Sequence, residues 1–351
     1  MSQVVYITTE TSQRIHVEPT NNTHPNWIHP HLIETTDPIK GRQFRVSATI
    51  PKNTRLLVDS PYSIIPVVDN PTTNDDLICS NPACNRRAPC RTRSTCPNTC
   101  IADVAWCGNA CREADSVRHG FECAWLKRYA GPIRAKYSEY DFGMLWIIVR
   151  LLASRHSRGD HEMVSESDSG SKWKGGWSAI ESLCGSQETW PVDMIRSWKG
   201  FVKKYLLDGP LLSHGMSAEQ VLHVICQEEA NSFGLYPRET GRFPLPFPVV
   251  GRGVQYAGAV YPTASMANHS CLPNVVHKAD GNGRMVFTAC RDIFPGEECC
   301  ISYFDLAEFR DLNSRREHLR KLFGFSCQCE RCVSEEPEET EEWIAMPMMD
   351  L

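Results

Sequence analysis

The sequence predicts an α+β fold in which strand-forming stretches flank a helical middle and metal ions staple two segments. Three observations carry this: strand-like runs before residue 60 and after residue 256, helix-like apolar spacing between residues 137 and 230, and cysteines gathered into clusters.

Residues 43–50 and 54–58 are rich in Val, Thr, Phe, Ile and Leu and are separated by Pro51-Lys52-Asn53, which predicts two short strands and a turn. Residues 137–155 carry apolar side chains on nearly all faces among good helix formers, and 194–207 and 218–230 show helical spacing. Between the first two, residues 157–176 are rich in Ser, Gly and charge without periodicity and read as an exposed flexible insert. Strand patterns return with 275–278 and 284–288, which flank Asp280-Gly281-Asn282-Gly283, a hairpin signal because those residues accept positive φ. A strand over 299–304 follows Pro295-Gly296, and a helix is expected over 306–323. From Ser334 on, Glu335, Glu336, Glu338, Glu339, Glu341 and Glu342 predict a solvated acidic tail over 334–351.

A chain of 351 residues, 41% of them hydrophobic, can bury a substantial core in two or three compact units. Its formal charge of -5 argues against a general nucleic-acid binder, so no direct sequence-specific nucleic-acid contact is expected. The start, Met1-Ser2-Gln3-Val4-Val5-Tyr6, has neither the basic nor the apolar region of a secretory signal. The longest apolar stretch, 144–153, is broken by Arg150 and falls short of the roughly 20 residues that span a bilayer. The expectation is therefore an intracellular protein of the nucleus, the cytoplasm or both, without a membrane partner.

In such a compartment 17 cysteines favour metal ligation over disulfides. Eight lie between Cys79 and Cys123, and Cys271, Cys327, Cys329 and Cys332 form a second group. The first segment offers Cys79, Cys84, Cys90, Cys96, Cys100, Cys107, Cys111, His119 and Cys123, nine candidates for the eight places of two tetrahedral zinc ions. It is too polar to order itself without them. The run from Trp106 and Cys107 through Cys111 and His119 to Cys123 resembles the second half of a MYND zinc finger. That resemblance implies Cys79, Cys84, Cys107 and Cys111 on one zinc and Cys96, Cys100, His119 and Cys123 on the other, with Cys90 as a possible replacement for one of them. It also implies a module that docks a peptide partner.

Asn268-His269-Ser270-Cys271-Leu272-Pro273-Asn274, then Gly296-Glu297-Glu298, Ile301-Ser302-Tyr303 and Cys327-x-Cys329-x2-Cys332 stand in order along the chain. The set resembles the SET-domain protein-lysine methyltransferases, and the inserted finger narrows the likeness to the SMYD type. The resemblance implies a β-rich SET fold with knot-like C-terminal threading: a split SET domain over 13–305, the finger over 79–123, a helical insert over 124–230 and a zinc-bound post-SET segment over 306–333. Cys271, Cys327, Cys329 and Cys332 would then hold a third structural zinc.

By the same resemblance the cofactor is S-adenosyl-L-methionine, contacted by Gly41, Arg42, Asn231, Asn268, His269, Tyr303 and Phe325. Tyr303 is the implied catalytic residue, and Phe233, Tyr303 and Phe323 wall a channel for the target lysine of a histone or other protein. A dry aromatic channel suits this chemistry because it disfavours the ammonium form of lysine, whose free pKa is about 10.4. Gln43 replaces the second glycine of the family's Gly-x-Gly, and a side chain there could crowd the cofactor. The alternative reading is accordingly a catalytically inactive SET/MYND adaptor that docks partners through its finger. With 19 residues after Cys332, the groove is expected to be more open than in longer SMYD relatives, or closed by a partner.

Overall fold

The computed structural model describes residues 26–158, 164–166, 172–207 and 215–337. Residues 13–25 of the expected SET portion and the acidic tail beyond 337 lie outside the described residues. The first strands are β1 (Trp27–Ile28), β2 (Leu32–Asp37), β3 (Gly41–Val46), β4 (Arg55–Asp59) and β5 (Ser63–Pro66). β2 and β3 form a hairpin whose turn is closed by the Asp37 carboxylate, which accepts the amides of Ile39 and Lys40, both at 2.9 Å. Gly41 leaves that turn at φ +76°, a conformation that favours glycine.

The finger adds the ribbon β6 (Ser94–Thr95) and β7 (Ala105–Trp106) and the short helix α1 (Asn109–Ala114). It then runs into α2 (Ser116–Lys136), followed by α3 (Glu139–Arg158). The sequence pattern does not reveal α2, because Gly120, Gly131 and Pro132 interrupt it. Packing decides instead: Phe121, Trp125, Leu126, Ala130 and Ile133 recur at helical intervals and are all buried. The helix crosses residue 123, so finger and helical insert share one element. Within 157–176, β8 (Val164–Glu166) and β9 (Lys172–Lys174) pair as a hairpin where a flexible insert was expected. Then come α4 (Trp177–Glu181), α5 (Val192–Phe201) continuing as a π-helical turn over Val202–Leu206, and α6 (Ala218–Asn231). α6 opens with a capping box, Ser217 and Gln220 satisfying each other's backbone amides.

After α6 the chain forms β10 (Ser232–Leu235), β11 (Ala257–Val260), β12 (Val275–Ala279) and β13 (Met285–Ala289), and then α7 (Leu312–Phe323) and α8 (Glu330–Ser334). The β12–β13 hairpin is the one the sequence predicts; Asp280 accepts the amides of Asn282 and Arg284, and Gly283 has φ +69°. Residues 299–304 form no named strand; Ile301 bridges His269, and just before the segment Glu298 bridges Arg45 of β3. Helix formation in 306–323 waits until Leu312, where the Asp311 carboxylate caps the Ser314 amide.

The strands make a four-stranded sheet, β1-β4-β13-β12, and a three-stranded one, β10-β11-β5. Leu57, Phe287, Ile50 and Val275 are among the side chains of the sheet core. A second core joins the finger to α2, α3 and α6 through Trp106, Trp125, Trp146 and Ile225. A third, around Phe304, Leu306 and Leu319, contains Cys271, Cys327 and Cys332. Among the described residues no helix is long and apolar enough to cross a membrane.

Candidate functional site

Three sets of four ligand atoms come together: Cys79, Cys84, Cys107 and Cys111; Cys96, Cys100, His119 and Cys123; and Cys271, Cys327, Cys329 and Cys332. In each set the atoms lie within 4.8 Å of one another. Individual spacings are 3.7 Å between the Cys84 and Cys107 sulfurs, 3.6 Å between Cys96 and Cys123, and 3.8 Å between Cys100 Sγ and His119 Nε2. A tetrahedron with zinc–sulfur bonds of about 2.3 Å has edges of about 3.8 Å, so size and donor chemistry both fit zinc. Cys90 stands apart: its amide donates to Asp75 Oδ1 at 2.7 Å and its thiol faces Thr72 O at 3.5 Å. It is the surplus ninth candidate.

His119 is oriented by a residue that sequence reasoning missed. Glu122, one turn along α2 and 0% exposed, faces His119 Nδ1 at 3.2 Å, Arg118 at 3.0 Å and Arg150 at 2.9 Å, and accepts from Trp146 Nε1 at 3.2 Å. Burial works against its charge, but the two guanidinium groups prevail and hold the carboxyl well below the usual carboxylate range. Such an outer partner fixes the imidazole ring for its metal.

A buried aspartate shapes the approach to the Asn268 motif. Asp59 at the end of β4 accepts the amides of Thr263 and Ala264, at 2.9 and 2.8 Å, and so holds the turn that leads into it. Beyond the motif, Asn274 donates to Glu298 O and accepts the Cys300 amide, both at 2.8 Å. Residues 298–301 thus run between β3, where the Cys299 amide reaches Phe44 O at 2.8 Å, and the Asn268 segment.

Lys40 and Gln43, on either side of Gly41 and Arg42, converge with Asn268 on Glu298. Asn268 Nδ2 donates to Glu298 Oε1 at 2.9 Å and to Arg42 O at 3.4 Å, and Lys40 pairs with Glu298 Oε2 at 2.6 Å. Gln43 is 2% exposed and joins the same network. The amide orientation that satisfies it donates to Glu298 Oε1 at 3.0 Å and accepts from Arg45 Nε at 2.9 Å. Its side chain is therefore taken up by Glu298 and Arg45. The Arg42 guanidinium reaches toward Ser182 Oγ at 3.5 Å.

His269 and Asn231 both have side-chain hydrogen-bond partners within the chain. The buried His269 ring accepts the Tyr303 amide at Nδ1, 3.1 Å, and places Nε2 3.2 Å from Cys271 Sγ, so its polar edges are committed within the chain. Burial pushes its pKa down to about 3. Asn231 donates its amide to Cys184 O and Gln227 O at 2.5 and 2.7 Å, tying the end of α6 to the segment after α4.

Tyr303 donates its hydroxyl to Ala267 O at 3.1 Å. Its ring centroid lies 4.8 Å from that of Phe323, 5.2 Å from His269 and 6.5 Å from Phe325. Burial raises its phenol pKa. Tyr303, Phe323, Phe233, Asn231, Ala267 and Ile301 line one narrow cleft of about 70 Å³. Phe325 is 37% exposed at its margin. Behind the cleft, Arg315, with a fully buried side chain, and Arg331 both pair with Glu335. The start of the expected acidic tail thereby closes the post-SET core.

The SET-domain family model matches residues 41–304, more than half of the chain. The chain is a SET-domain protein. Along its length this SET-domain chain is similar to the SET and MYND domain-containing protein DDB_G0292140 of Dictyostelium discoideum, 25% identical over 89% of this chain and 61% of that protein. It is also similar to the histone-lysine N-methyltransferase ASHR2 of Arabidopsis thaliana, 32% identical over 40% of this chain and 35% of that one. The chain thus aligns with less than two thirds of the length of either relative. A solved structure, the SET domain of LSMT bound to lysine and AdoHcy, is 14% identical with a TM-score of 0.35, covering 85% of this chain and 53% of that one. The cysteine sets within 79–123 fit a MYND-type zinc finger in this SET protein.

Proposed function

We propose that this SET protein transfers a methyl group from S-adenosyl-L-methionine to the ε-amine of a lysine in a histone or other protein. One observation carries the reading: the Tyr303 hydroxyl and ring stand in a narrow cleft walled by Phe233 and Phe323, with Asn268 nearby bonded to Glu298 and to the Arg42 carbonyl. The name of the Arabidopsis relative supports it. Gly41, Arg42, Asn268 and Phe325 would hold the cofactor, which when bound supplies an electrophilic methyl on sulfur. His269 and Asn231 position: the first fixes the Tyr303 backbone, the second the end of α6.

The chain's own work is to admit a neutral amine, aim it and keep water out. The aromatic walls disfavour the ammonium form of the incoming lysine, and Tyr303 is the catalytic residue that orients the amine through its hydroxyl. The finger is assigned docking of a peptide partner, since each of its zinc sets is filled by four protein ligands and leaves no open position for chemistry. With the Gln43 side chain bonded to Glu298 and Arg45, the feature behind the inactive-adaptor reading no longer favours it.

The test pairs binding with transfer. Zinc-loaded protein should bind S-adenosylmethionine and S-adenosylhomocysteine one to one by calorimetry and label lysine in peptides with a tritiated methyl group. Tyr303→Phe should lower transfer about a hundredfold or more while leaving S-adenosylhomocysteine affinity within a few-fold. Equal transfer by wild type and variant would remove Tyr303 from the chemistry. Failure of folded protein to bind either ligand would overturn the reading.

A further inference from the structure

A second cavity, of about 570 Å³, opens on the other elements around β10. It is formed between α3, the end of α6 and the sheet β10-β11-β5, and Ser232, Phe233 and Gly234 line both it and the Tyr303 cleft. β10 lies at the edge of that sheet, with β11 as its neighbour. The mechanism above uses none of this cavity's remaining side chains.

Its lining is strongly acidic: Asp69, Asp103, Glu139, Glu228 and Glu229 against one guanidinium, that of Arg134. Arg134 is already engaged, donating to Asp103 at 2.9 and 3.1 Å and to Glu139 at 3.0 Å, and it lies over the Phe142 ring at 4.1 Å. Glu228 is 5% exposed, lines the cavity, and leaves Oε2 without a hydrogen-bond partner among the described residues. Beside it, Glu229 accepts a hydrogen bond from the Tyr140 hydroxyl. Neither glutamate forms an ion pair among the described residues. A buried acceptor left unmatched is costly, and an unmatched carboxylate in an acidic, aromatic-walled cavity is matched best by a cation brought from outside.

We propose that this cavity binds a cationic side chain, arginine or lysine, of the protein substrate at a position flanking the target lysine. Glu228 and Glu229 are then specificity-determining residues, and the substrate class is a lysine with a basic neighbour. The methyl-transfer reading enters only in setting where the target lysine lies, across β10 in the Tyr303 cleft. The electrostatics agree with the geometry. Burial, and for Glu228 the neighbouring Glu229, push both carboxyls up, Glu229 to about 7, while Ser232 pulls Glu228 and the Tyr140 hydroxyl pulls Glu229 part of the way down and Asp141 on α3 pushes Glu229 further up. A cation entering the cavity meets that demand directly.

The test uses the full chain, immobilised, and a peptide library with a central lysine randomised at three positions on each side. Retention on the protein and methyl transfer are read from the same pool. The expected result is enrichment of Arg or Lys at one flanking position among retained peptides. Replacing that residue by citrulline should weaken retention at least tenfold on wild type and leave it unchanged on the Glu228→Gln, Glu229→Gln variant. The variant counts only if its melting transition and its retention of the citrulline peptide match those of wild type, and Glu229→Gln alone, which should reduce the citrulline effect in part, serves if the double variant does not fold.

No basic enrichment, or an equal citrulline effect on both proteins, overturns the proposal. Basic enrichment without methyl transfer would sink the methyltransferase reading and leave this one in place. Transfer without basic enrichment would do the reverse.

Discussion

Glu298 receives Lys40, Asn268 and Gln43 in one network at the rim of the sheet core, yet as a residue it looks like any other acidic position after a Gly-Glu pair. Removing its carboxylate leaves those donors without their acceptor, and Asn268 loses its orientation. Glu298→Ala should therefore weaken S-adenosylmethionine binding about tenfold, roughly 1.4 kcal/mol, in protein whose zinc content is unchanged; calorimetry checks this. Glu229 supports a prediction in pH. Its folded pKa, about 7, lies above the ordinary carboxyl value, so the stability it contributes is present below about pH 4.5 and is lost as pH rises through 7. Glu229→Gln removes that loss, so the melting temperature of the variant minus that of wild type should grow between pH 5 and pH 8. A difference that stays flat would place the carboxylate in an ordinary solvated setting. The gathering of twelve Cys and His side chains into three sets, and of Tyr303 and Asn268 into one region, was legible beforehand because ligation and the ordered motifs demand particular residue types. Glu122 and Asp59 were not, and Glu298 stood out only as part of its motif without its partners, because a carboxylate acquires its partners only when distant segments meet.

At the scale of elements, the β12–β13 hairpin and helices α3, α5 and α6 follow from turn chemistry and apolar spacing. α2 does not, since its two glycines and Pro132 argue against a helix of 21 residues. What stabilises it is burial against α3 and the ionic cluster of Asp115, Arg118, Glu122 and Arg150. Deleting the central anion leaves the buried Arg150 guanidinium without a carboxylate and Arg118 with Asp115 alone. Glu122→Ala should cost about 3–5 kcal/mol in urea unfolding, and Glu122→Gln less, because an amide still accepts a hydrogen bond from one of them. Equal stability of Glu122→Ala and wild type would show that the cluster contributes nothing net. The segment 299–304 illustrates the opposite error: its β-forming residues supply one bridge, Ile301 with His269, and a core strip around Tyr303 without a regular strand, because Asn274 and β3 claim its backbone groups from either side.

For the whole molecule, the three ligand sets predict three zinc ions per chain by elemental analysis. Cys90→Ser should retain all three, whereas Cys96→Ser should lose one; a loss in Cys90→Ser would reassign the ninth thiol. Two of the three cores contain zinc ligands: Cys79, Cys96 and Cys123 in the helical one, and Cys271, Cys327 and Cys332 in the post-SET one. Chelation should therefore lower the cooperativity of unfolding across the molecule as well as releasing the finger. α2 carries the argument into molecular evolution. Because it begins at Ser116 and holds His119 and Cys123 in its first turns, the finger is not a cassette that recombination could drop at Cys123 and leave its host whole. A cut there would take about two turns of a rod that continues into the interior. Lineages that lose the finger must rebuild that rod, so finger and helices are expected to be inherited together.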